Sequence, residues 1–189
     1  MKITNKLNLP QPFVDAVQND YKPKPHQYSV TTILNPIRQV ILSRRYSDKI
    51  TQDVSDMIWS LFGTALHSVL ENSKETNTQF KEEYLKQELD IIDESLKGYF
   101  LSGRADLLDA ALKKMVDYKS TSVYKVKSKE YDDWYKQLLI YAWLFVKIGF
   151  EVDNAEIIAL LKDWSKTKAK FDSSYTQIKG ELINVREIG

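Results

Sequence analysis

The chain has 189 residues, 43% hydrophobic and 28% charged, with a formal net charge of +1, which is the length and balance of one globular domain rather than a disordered segment. It contains no cysteine, which excludes disulfides, thiolate zinc sites, iron–sulfur clusters and cysteine nucleophiles. No apolar run is long enough to span a bilayer and no secretory signal stands at the N-terminus, so a soluble, cytoplasmic chain is expected.

Residues 1–28 hold four of the five prolines (Pro10, Pro12, Pro23 and Pro25) and little periodicity. They read as an extended arm laid over the body, with Phe13, Val14 and Tyr21 as anchors. The domain proper is expected over residues 29–189. Ser29 to Leu34 opens a short element that closes before Pro36, because the residue preceding a proline disfavours helix. Ile37 to Tyr46 reads as a helix whose arginines, Arg38, Arg44 and Arg45, suit a solvated face or a phosphate contact.

Ser55 to Ser73 is the clearest amphipathic helix, with Met57, Ile58, Leu61, Phe62, Ala65, Leu66, Val69 and Leu70 at helical spacing. Gly63, His67 and Glu71 lie four apart and form one row beside that stripe. Phe80 to Asp90 alternates weakly and suggests a strand. Tyr99 to Asp109 and Lys114 to Thr121 read as two more, joined by Ala110-Ala111-Leu112-Lys113. That connector lacks the Gly or Asn of a two-residue hairpin, so a longer loop is expected.

Ser128 to Ile148 reads as a second long helix stopped at Gly149, with Tyr131, Trp134, Tyr135, Leu138, Leu139, Ala142 and Phe145 on its apolar side. Glu156 to Leu161 is a buried strand by its nearly continuous apolar run. Lys162 to Lys170 carries four lysines, expected to be solvated. Trp134, Trp143 and Trp164 are expected in the core. The tail from Phe171 onward gives no clear signal. Helix, three strands, helix and strand in this order describe an α/β domain with a central mixed sheet flanked by helices.

The chemistry concentrates between Gly103 and Lys119. Side chains two apart on a strand share a face, so Asp117 and Lys119 point the same way, and Asp106 on the neighbouring strand can be brought beside them. Two carboxylates and an ammonium on one face make a poor core. They make a good site for a hard divalent cation, which takes one or two protein carboxylates and keeps water and phosphate oxygen for the rest. The backbone carbonyl of Tyr118 can add a further oxygen. Such a site suits phosphodiester hydrolysis, with Lys119 placed to position water or to neutralise charge in a phosphorane-like transition state.

Gly103-Arg104-Ala105-Asp106 followed by Asp117-Tyr118-Lys119 resembles the core of the PD-(D/E)xK nuclease superfamily. Gly63-x-x-x-His67 before it and Gln137-x-x-x-Tyr141 after it resemble the RecB-like branch, in particular phage-type exonucleases without an iron–sulfur cluster. Ser29 to Lys162 carries the resemblance. It implies a restriction-endonuclease-like fold and a Mg2+- or Mn2+-dependent deoxyribonuclease, an exonuclease of DNA recombination, repair or phage replication. His67, Asp106, Asp117 and the Tyr118 carbonyl would then be metal ligands, and Glu71 a further or second-metal ligand. Lys119 would be the catalytic lysine. Gln137 and Tyr141 would contact DNA phosphate or steady the lysine and the attacking water.

Plainer roles exist for each group. Asp106 or Asp117 can pair with Arg104, His67 can be an ordinary helix-surface histidine, and Gln137 and Tyr141 can be helix surface and helix core. Two rival functions share the fold: a non-catalytic DNA-binding scaffold, and a structure-specific endonuclease that cuts closed circles. DNA is the expected partner, with the basic groups clustered locally because the net charge is so small. A recombination or replication protein can supply part of the DNA contact. No stretch identifies an oligomer interface.

Overall fold

The sheet is organised around one strand that has three partners. In this computed structural model, which describes residues 2–18, 24–74, 76–175 and, for the backbone alone, 180–186, that strand is β5 (Phe100–Asp109). Before it come β1 (Lys2–Thr4), α1 (Gln11–Val17), β2 (Gln27–Ser29), α2 (Val30–Leu34), α3 (Ile37–Arg45), β3 (Thr51–Asp53), α4 (Val54–Glu71) and β4 (Gln79–Glu88). After it come β6 (Lys114–Thr121), α5 (Val123–Ser128), α6 (Asp132–Lys147), β7 (Asn154–Leu161), α7 (Lys166–Phe171) and β8 (Gly180–Arg186).

β4 lies antiparallel along the whole of one edge of β5, from Gln79 opposite Asp109 to Glu88 opposite Phe100. On the other edge, β2 pairs in parallel with Phe100, Leu101 and Ser102, whereas β6 pairs antiparallel only with Leu107, Leu108 and Asp109. Residues 103–106 therefore face a gap where β2 has ended and β6 has splayed away. β7 pairs in parallel with the full length of β6, and β8 closes the far side antiparallel. The sheet is mixed and helices flank it, as the residue pattern implied.

The main core lies between the sheet and α6. Leu138, Tyr141, Ala142, Leu144 and Phe145 of α6 are buried against Ala105 and Leu108 of β5, Met115 of β6, and Ile157 and Ala159 of β7. Trp134 is buried there too, and Trp143 and Trp164 pack against it in part. No described helix is long and apolar enough to cross a membrane.

Two expectations are revised. The N-terminal segment is not simply extended: β1 pairs in parallel with β3, and α1 packs Val17 against Val54 and Met57 of α4 in a second, smaller cluster that Val14 joins. Asp53 ties this layer down, capping α4 through the Ser55 amide while accepting from Thr4 Oγ1 and the Lys6 amide. Phe13 is largely exposed, and Tyr21 lies outside the described residues. The helix expected over 128–148 starts later, as α6 at Asp132, because Lys129 at φ +56° ends a separate short helix, α5, just before it. The four lysines of residues 162–170 are exposed, as expected, and the stretch ends in a helix, α7, whose N-cap Ser165 accepts from the Lys168 amide.

Candidate active site

The gap beside residues 103–106 is where the polar side chains gather. With no strand to pair it, the Tyr118 amide donates to Asp106 Oδ2 at 2.7 Å, so a carboxylate replaces the missing ladder bond. This contact fixes Asp106 and places its other oxygen, Oδ1, 3.3 Å from His67 Nδ1 on α4. Glu82 of β4 completes the cluster, its Oε1 2.9 Å from the same nitrogen.

The backbone explains how Glu82 gets there. The register of β4 on β5 sets Glu82 across from Asp106, yet the two do not pair, and Glu82 adopts φ +52°, a left-handed conformation costly for a residue with a side chain. Ligand atoms of His67, Glu82 and Asp106 all lie within 4.8 Å of one another, as a cation-binding set requires. Without a cation, the two carboxylates hold a proton on the imidazole: Asp106 foremost, then Glu82, raise His67 to about 9 against the opposing effect of burial.

Asp117 and Lys119 project together from β6, as their spacing required. Lys119 Nζ is 2.8 Å from Asp117 Oδ2 and 2.9 Å from Gln137 Oε1 on α6, so the ammonium is held between strand and helix. Its approach to Oδ2 lies off the line of a hydrogen bond, and that oxygen is buried without an aligned donor. Burial pushes the Asp117 carboxyl up to about 6; Lys119 pulls it down and Asp106 adds to the rise. A buried carboxylate oxygen that meets the Lys119 ammonium but accepts no aligned hydrogen bond among the described residues, next to an oxygen and imidazole donor set, fits a divalent cation.

Tyr141 closes the floor of the gap. Its ring is buried and its hydroxyl faces the Gln137 side chain and the Arg104 backbone amide; burial nonetheless raises it to about 12. Gly103 is required here, since a Cβ at that position would stand 2.6 Å from Tyr141 Cε1 and 2.9 Å from its hydroxyl.

Of the residues singled out by sequence, His67, Asp106 and the Tyr118 backbone meet at one point, and Asp117, Lys119, Gln137 and Tyr141 form an adjoining chain. Glu71 stands apart: it is half-exposed, its carboxylate lies 3.8 Å from Arg104 Nη1, and the clustered donors do not include it. Glu82 was not anticipated. The only signal for it was the register that an antiparallel β4–β5 pair would impose, which sets residue 82 across from Asp106.

Residues 43–182 match the family model described as the PD-(D/E)XK nuclease superfamily, a span that includes every residue of this site. Among solved structures, the crystal structure of SSO0001 is similar, with a TM-score of 0.63 at 17% identity, covering 94% of this chain and 74% of that one. That likeness concerns the fold, a mixed sheet flanked by helices of restriction-endonuclease-like type. No curated protein matches the chain in sequence.

Proposed function

We propose a deoxyribonuclease that degrades DNA from its ends, proceeding from the fact that this chain belongs to the PD-(D/E)XK nuclease superfamily. Membership makes it a metal-dependent nuclease with DNA as substrate. The RecB-like assignment, and with it exonuclease action in recombination, repair or phage replication, rests on the Gly63–His67 and Gln137–Tyr141 pairs that flank the core.

The observation that carries the reading is Lys119, held 2.8 Å from Asp117 and 2.9 Å from Gln137 beside the buried carboxylates. His67, Asp106, Asp117 and the Tyr118 carbonyl would hold Mg2+ or Mn2+, and Glu82 would join that set in preference to Glu71, a reading supported by its ligand oxygen lying within 4.8 Å of those of His67 and Asp106. When bound, such an ion polarises the phosphodiester and makes its bound water more acidic. The chain's own groups do the rest. Lys119 would neutralise the negative charge that develops on the oxygens around phosphorus and orient the attacking water. Gln137 fixes Lys119, and Tyr141 fixes Gln137. Water adds to phosphorus, one P–O bond breaks, and the products are a phosphomonoester and a free hydroxyl.

The test is digestion of linear duplex, covalently closed circular duplex and single strands, with Mg2+, Mn2+ or chelator, and Asp117→Ala as control. Metal-dependent loss of linear DNA alone, absent in the variant, is the expected result. Cutting of the circle would replace the exonuclease reading with an endonuclease. Binding without cleavage would replace it with a scaffold.

A further inference from the structure

α4 carries more than His67. Two turns before it, Trp59 and Phe62 stack on each other with ring centroids 5.4 Å apart and planes 29° from parallel. Both are exposed, Trp59 by 58% and Phe62 by 55%. Large aromatic rings on a helix that buries its other face normally join the core, and these do not. A cation attends them: Lys162 Nζ lies 5.0 Å from the Trp59 ring centroid.

Two independent rulers place this pair beside the catalytic cluster. Along α4, Trp59, Gly63 and His67 follow one inclined row, eight residues or about 12 Å from end to end at ~1.5 Å per residue. Along the sheet, Lys119 pairs with Ala159, and Lys162 follows three residues later, about 10 Å further at ~3.3 Å per residue. An open cleft of about 480 Å³ beside the metal-binding donors is lined by Gly63, Thr64, His67, Ser68, Glu71 and Glu82, so its wall on α4 begins at Gly63, one turn after Trp59. The space beside Gly63 is open, since a Cβ there would meet no described atom within 4 Å.

We infer that Trp59 and Phe62 form a stacking platform for the unpaired bases of a DNA end, with Lys162 taking the adjoining phosphate. The inference rests on the nuclease reading and specifies its substrate as a single-stranded end. Exposed rings bind bases of any sequence because every base has a π-face, and a neighbouring cation secures the backbone. About 12 Å spans three to four nucleotides at ~3.4 Å each, so a strand stacked at the platform can run along the cleft and reach the cluster with its next phosphates. A protein surface would not need the platform on the same helical row as His67, nor a cation over its ring.

The experiment uses the full chain in two arms. In chelator, where no cutting occurs, fluorescence anisotropy measures binding of a labelled oligothymidylate, an abasic strand of the same length and a blunt duplex. With Mg2+, digestion of linear duplex is measured separately. Trp59→Ala and Phe62→Ala are expected to weaken oligothymidylate binding by roughly tenfold or more, to leave the abasic strand nearly unaffected, and to be rescued by Trp59→Phe. Both side chains are exposed, so the variants retain the core, which circular dichroism checks. Equal binding of oligothymidylate by wild type and both variants would overturn the platform, and so would equal losses on the abasic strand. Failure of the wild type to cut any DNA would overturn the nuclease reading instead, and the binding arm would still decide the platform.

Discussion

Glu82 and His67 are joined across two elements that the chain places fifteen positions apart: Oε1 of one lies 2.9 Å from Nδ1 of the other. The left-handed backbone at Glu82 is sustained by nothing in the β4–β5 ladder, which skips this pair. A strained residue that delivers a carboxylate to a cluster of donors has a functional explanation before a structural one. Glu82→Gln is therefore expected to weaken Mg2+ or Mn2+ binding by about 10- to 100-fold, whereas Glu71→Gln leaves it within a factor of about two. Calorimetric titration of each variant with Mn2+ distinguishes them. Equal losses would restore Glu71 to the ligand set.

The proton on His67 provides a second test. Its pKa of about 9 in the folded chain lies above the ordinary 6.5, so the imidazolium favours the fold. That contribution is complete below pH 6.5 and is lost as pH rises through 9. A cation at the same donors competes with the proton, so metal binding tightens with rising pH and releases a proton near neutrality. The chain has two histidines, His26 and His67, so NMR titration with His26→Asn for assignment isolates the signal. A metal-free His67 that titrates near 6.5, or one insensitive to Mg2+, contradicts this prediction.

How far could the site be read from residues alone? The elements with long, regular periods were legible, α4 and β5 to β7 among them, and so were the groups they carry. Strand alternation alone put Asp117 beside Lys119. What escaped was set by pairing across distance. Glu82 sits in a strand whose alternation is weak, and only its register against β5 shows where its carboxylate goes. The N-terminal layer depends on β1 meeting β3, with Lys2 opposite Thr51, a contact with no local signature. Near Lys129 nothing in the apolar period marks the residue at φ +56°, so the start of α6 was read at Ser128, where α5 in fact ends.

Asp117 is a group whose function opposes stability. Burial raises its carboxyl to about 6 from 3.8. A raised acid binds its proton more readily when folded, so the chain loses stability as pH rises from about 4 to 6 and stays lower above that. Asp117→Asn is expected to stabilise the metal-free chain at pH 7 by up to about 3 kcal/mol, since the raised value is already net of the Lys119 pairing. It is also expected to abolish cleavage. Thermal unfolding in chelator at pH 4 and pH 7 provides the check, with the gain confined to the higher pH. A variant destabilised at both would mean that the Asp117–Lys119 pair outweighs the burial.

Lys119 and Gln137 separate catalysis from positioning. Lys119→Ala removes the cation aimed at the developing charge and is expected to lower kcat by about 10²–10³-fold, with DNA affinity little changed. Gln137→Ala leaves the ammonium in place but frees one side of its tether, so a smaller loss of about tenfold in kcat is expected. The double variant tests the linkage: if Gln137 acts only through Lys119, removing both costs no more than removing Lys119 alone. Single-turnover cleavage of a labelled linear duplex at saturating enzyme measures all three. Additive losses would show instead that Gln137 contributes to the chemical step independently of Lys119.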